Sequence, residues 1–172
     1  PNRPPEPPVT ATLPASPAAA AIDLLHFVRL MSLKTLADWP ADKLTFQRTP
    51  EDNHPLWVMG HLAGTDAWIG GLLKIPGTEV PENYQTLFGM GSKPVGDPKA
   101  YPAFEEVRGY FNGARSAVRH WLDSATPKDL ATSLKEATGG FANDPVDAML
   151  KVCWHEGWHL GQVATLRKHL GL

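Results

Sequence analysis

The segment from Asp144 to Leu172, DPVDAMLKVCWHEGWHLGQVATLRKHLGL, reads as one long helix with a marked beginning and end. Asp144 offers a capping carboxylate, and Pro145 suits the first helical position, where an amide hydrogen would have no partner. Asp147 adds negative charge to the first turn, and Gly171 is placed to end the helix in a left-handed residue. Between these signals Val152, His155, His159, Gln162, Val163, Leu166 and Leu170 recur at helical spacing. That stripe is mostly apolar, so it should face the interior of a helical bundle.

Three other segments have helical character. The first runs from about Ala18 to Asp38, with Ile22, Leu25, Arg29, Ser32, Leu33 and Leu36 at helical spacing, and Pro40 ends it. The second runs from Pro55 to Leu73. The third runs from Pro102 to Ser124, where Phe104, Val107, Phe111, Ala114, Val118, Trp121 and Leu122 form a broad apolar face. No segment alternates as a strand does. Four long amphipathic segments without strands predict an all-α fold, a four-helix bundle. The link from Lys74 to Tyr101 is long and rich in Gly and Pro. Roughly 25 residues at about 3.3 Å each can travel the length of a bundle, which favours an up-down-down-up order with a long crossover between helices 2 and 3. A connection of this length is also suited to covering a pocket.

A chain of 172 residues fits one domain, expected over 18–172, after a Pro- and Ala-rich arm over 1–17 that reads as extended or mobile rather than as a secretory signal. A net charge of -2 and the lack of any Lys or Arg run give no support to nucleic acid or an anionic membrane surface as a partner. No apolar stretch approaches the roughly 20 residues that cross a bilayer. The single cysteine, Cys153, excludes an intrachain disulfide and fits a reducing, cytoplasmic setting. It lies about 160° around the helix from His155, away from any site that histidine joins.

His155 and His159 are four residues apart, so their Cβ atoms stand roughly 6 Å apart on one helix face, a span that one metal ion can bridge. His61 lies in a second apolar stripe with Trp57, Val58, Gly64, Thr65 and Trp68. Each histidine alone could be a core imidazole bonded to its neighbours. Three inward imidazoles in one core are harder to satisfy, which shifts the reading toward metal ligands. Of the others, His54 could cap the second helix or stay solvated. His120 should face solvent, His169 suits a helix C-terminus, and His26 is ambiguous but is not expected to be a ligand. Trp154 and Trp158 form their own stripe, read as core or dimer packing with the option of walling a pocket.

His155-Glu156-x-x-His159 also fits the H-E-x-x-H pattern of zinc proteases. The longer form would need glycine and histidine where Gln162 and Thr165 stand. No Asp or Glu follows Glu156 as a third ligand, and no edge strand is present to hold a peptide. Glu156 is turned about 100° from His155, so it is expected to flank or support the site rather than act as a base.

Taken together, Asn53-His54-Pro55-Leu56-Trp57-Val58-Met59-Gly60-His61-Leu62-Ala63, His155-x-x-x-His159-x-Gly161-Gln162 with Leu166-Arg167 and Leu170-Gly171, and Leu87-Phe88-Gly89-Met90-Gly91-Ser92-Lys93-Pro94 resemble the DinB-like family of metal-binding four-helix bundles. This family includes bacterial thiol-dependent S-transferases, and the resemblance covers about Ala20 to Leu172. It implies an up-down-down-up bundle, usually a homodimer, with one divalent ion per chain on His61, His155 and His159. Zinc or nickel suits three imidazoles. The implied activity is a metal-dependent transferase that activates a low-molecular-weight thiol for a small electrophile. The alternatives are a metal-dependent hydrolase using bound hydroxide and a non-catalytic, stress-related bundle. The loop around Tyr84 to Lys93 is the expected place for substrate contacts.

Overall fold

The computed structural model describes residues 16–172; the part of the expected arm over 1–15 lies outside the described residues. Among the described residues the fold is all-helical, with no strand. Four long helices, α1 (Pro17–Leu36), α2 (Pro55–Leu73), α4 (Phe104–Ser124) and α6 (Pro145–Leu170), are joined by links that contain the short α3 (Tyr84–Phe88) and α5 (Pro127–Leu130).

Local chemistry sets the ends. Ser16 accepts from the Ala19 amide at 3.1 Å, which starts α1 at Pro17, one residue earlier than its apolar pattern suggests. Asp144 accepts from the Asp147 amide at 2.9 Å, a cap of about 1 kcal/mol, and Gly171 closes α6 at φ 72°. The short helices went unanticipated because one turn is too brief to carry a 3.6-residue apolar period. The third long helix begins at Phe104, two residues later than expected.

The core has two apolar clusters. One gathers Leu36, Leu56, Met59, Phe88, Phe111, Val163 and Leu166 among others. The other gathers Ala21, Leu25, Ile69, Val118, Leu122, Met149 and Val152. Along the sequence of every long helix, one buried charged residue separates the members of the two clusters: Arg29 in α1, Asp66 in α2, Arg115 in α4 and Glu156 in α6. Arg29 lies 2.9 Å from Glu156 and 3.1 Å from Asp66, while Arg115 lies 2.9 Å from Asp66 and 2.8 Å from Glu156. Ser32 donates to Glu156 at 2.7 Å, and the Arg29 guanidinium sits 3.5 Å from the centre of the Phe111 ring. Two cations and two anions cancel, so the layer carries no net charge. Burial works against the Glu156 carboxylate, but Arg115 and Arg29 outweigh it and hold its pKa below the ordinary value. Removing any one member would strand an opposite charge in the core.

Candidate metal centre

His61 projects from α2, and His155 and His159 from α6. Their Nε2 atoms converge: His155 lies 3.2 Å from His61 and 3.0 Å from His159. The three candidate ligand atoms lie within 4.8 Å of one another. Nitrogens bound to one tetrahedral zinc at 2.0–2.1 Å would stand about 3.4 Å apart, so the two separations from His155 are close to those of a filled site.

The opposite side of two rings explains the aim. His61 Nδ1 lies 2.7 Å from the Phe88 carbonyl, which can only accept, so Nδ1 carries the proton and Nε2 presents a lone pair. His159 Nδ1 lies 2.9 Å from Gln162 Oε1, and Asn53 donates to the same oxygen at 3.2 Å. Trp57 stacks on His61 at 4.6 Å between centroids and is itself held by Ser92 at 2.9 Å. The long connection thus orients the site from outside the histidines, as outer partners of metal-binding imidazoles commonly do. Burial pushes His155 and His159 down to about 4, and the neighbouring imidazoles add to the shift; burial lowers His61 as well. All three are neutral near pH 7, the form a metal requires.

The remaining histidines separate as their positions suggest. His54 is wholly buried and caps α2: its Nδ1 accepts the Trp57 amide at 3.0 Å, and its Nε2 donates to the Val95 carbonyl at 3.1 Å. His120 and His169 are exposed, and His26 faces Arg119 at 3.1 Å. Cys153 is buried beside the charged layer, with its thiol pushed up to about 12 by burial. Trp154 and Trp158 are not core residues: they are 64% and 57% exposed, with ring centroids 5.6 Å apart.

Glu156 does not meet the histidines. Its carboxylate is taken by Arg29, Arg115 and Ser32, which removes the general base that an H-E-x-x-H protease would need. Sequence reasoning assigned no role to Gln162, Asn53 or the Phe88 carbonyl. The first two stood inside the quoted motifs, whereas a backbone oxygen leaves no mark on residue type. The stripe Gly64, Thr65 and Trp68 lines an outer cavity with His61 rather than the core.

None of the described helices is long and apolar enough to cross a membrane. No curated protein matches the chain. The family model of the DinB superfamily matches residues 24–163, a span that includes all three histidines. With that match over most of its length and a histidine triad that can hold a metal ion, the chain belongs to the DinB superfamily.

Proposed function

We propose that the protein is a metal-dependent transferase that presents a low-molecular-weight thiol to a small electrophile. The carrying observation is the convergence of three neutral Nε2 atoms, with the Nδ1 protons of His61 and His159 held by Phe88 and Gln162. His61, His155 and His159 would hold one divalent ion, zinc or nickel by donor type. When bound, such an ion lowers the pKa of a thiol or water in an open position and so supplies a nucleophile at neutral pH. The chain's own contribution is to keep the imidazoles neutral and aimed, and to place a cavity of about 600 Å³ beside His61 for the second reactant. Hydrolysis is the weaker reading, because the one carboxylate next to the triad in sequence is committed to arginines.

The same reading carries a bundle domain over 18–172 and the up-down-down-up order. In support, α1 and α6 run from the second cluster to the first, whereas α2 and α4 run from the first to the second. It also carries a homodimer, supported by Leu150, Trp154 and Trp158 exposed on α6, and a cytoplasmic setting, supported by the free Cys153.

Elemental analysis of untagged protein is the first test, with His61→Ala, His155→Ala and His159→Ala alongside. Near one metal per chain, lost in each variant, is expected. Metal retained in all three would refute the ligand set. Product analysis with and without added thiol then separates transfer from hydrolysis, and no turnover at full metal content would leave a non-catalytic bundle.

A further inference from the structure

We infer that the cavity beside His61 takes a neutral, apolar, ring-bearing molecule and turns away anionic ones. Its link to a reaction rests on the metal-centred reading above, whereas its binding preference rests on the walls alone. The cavity, about 600 Å³, lies within the roughly 300–1,000 Å³ usual for small-molecule sites. Trp68, Val80, Tyr84, Phe88 and Met90 line it with apolar groups from α2, α3 and the links on either side of α3. Two of these walls are fixed: Tyr84 and Phe88 are buried and meet edge to face at 4.9 Å. Trp68 is 43% exposed and rests against Phe141 at 5.8 Å, so much of its surface is free to cover a ring.

The polar lining is as informative. Among the described residues no Lys or Arg lines the cavity, and Glu79 is the one acidic side chain there. The His61 Nδ1 proton is given to Phe88, and the Thr65 hydroxyl donates to the His61 carbonyl at 3.0 Å. An anion seated here would lose water and gain no cationic side chain from the walls, with Glu79 opposing it. A neutral ring loses little water and gains contact with aromatic walls. Gly64 supplies depth: a Cβ there would meet nothing within 4 Å, so the missing side chain leaves room within the cavity.

Equilibrium dialysis of the full-length, metal-loaded protein against two probes tests this. The first is 2-acetylnaphthalene, which is neutral, and the second is naphthalene-2-sulfonate, which has the same ring, one negative charge and little affinity for metals. The neutral probe should bind at least tenfold more tightly. Gly64→Leu, whose side chain would enter the cavity from a helix position with free space, should weaken the neutral probe tenfold or more and leave metal content unchanged. Glu79→Lys should narrow the gap between the probes. Equal or tighter sulfonate binding, or a Gly64→Leu protein that binds the neutral probe normally, would overturn the inference. A protein that takes up no metal on reconstitution yet still sorts the probes would sink the metal-centred reading and leave this one standing. A metal-replete protein that does not sort them would do the reverse.

Discussion

Gly60→Ala should weaken both the fold and the metal site, although alanine is the better helix former. A Cβ at Gly60 would lie 2.5–2.7 Å from three ring atoms of Phe88, so the ring or the helix must move by about 1 Å to reach an ordinary carbon–carbon contact of roughly 3.5 Å. Phe88 is 1% exposed and packed against Tyr84 and Tyr101, so it has little space to yield. Overpacking of this kind costs about 1–3 kcal/mol, against a gain of about 1 kcal/mol from helix propensity. Gly64, one turn along the same helix, has nothing within 4 Å of a built Cβ, so Gly64→Ala should take the propensity gain alone. The difference between the two variants therefore isolates the clash, about 1–3 kcal/mol, or roughly 2–12 °C in Tm at about 2–4 °C per kcal/mol for a chain of this size. Thermal unfolding of metal-free protein measures it without a ligand contribution. The displaced Phe88 also carries the carbonyl that holds His61 at 2.7 Å, so competition titration with a chelator should show metal affinity reduced about 10–100-fold in Gly60→Ala only. Equal Tm and equal affinity in the two variants would refute the reasoning.

Gln162→Ala should lower metal affinity about 10–100-fold with little change in metal-free Tm, since it frees the His159 ring without opening the core; unchanged affinity in the same titration would deny Gln162 its orienting role. Glu156→Gln should cost about 3–5 kcal/mol in urea unfolding, because it leaves Arg29 and Arg115 underpaired, while the folded fraction keeps its metal; loss of metal without loss of stability would restore Glu156 to the site. Burial pushes His54 down to about 4 from an unfolded value near 6.5, so the unfolded chain binds the extra proton between those values. Stability from this group is therefore present above about pH 6.5 and is lost as pH falls toward 4, at up to about 1.4 kcal/mol per pH unit. In urea unfolding from pH 7 to 4.5, His54→Asn should flatten the profile by about one proton, and a slope equal to the wild type would contradict the assignment. Cys153 should resist a thiol reagent at pH 8 until the protein unfolds, given its buried thiol at about 12. Prompt labelling of native protein would show that the core opens there.

Much of the fold was legible because it is local. The apolar periods of the four long helices, Pro55 at the first position of α2 and the caps at Asp144 and Gly171 are decided within a few residues of chain, and the helix bounds followed them closely. The pair His155 and His159 was legible for the same reason, since spacing on one helix settles which residues share a face. Conversely, Trp154 and Trp158 could not be placed from hydrophobicity alone, because solvent exposure depends on what else packs against α6.

By itself the sequence determined the helical architecture, the candidate triad and the exclusion of a disulfide framework. Those follow from residue type, periodicity and cysteine count. Only the tertiary structure decided that His61 meets the other two histidines across 94 positions of chain. Only it decided that Glu156 serves a buried charge layer instead of the site, and that the Phe88 carbonyl and Gln162 select the tautomers. Each of these depends on which groups are left facing one another once helices distant in sequence pack. Burial then makes every unpaired charge and misaimed imidazole costly enough to select one arrangement.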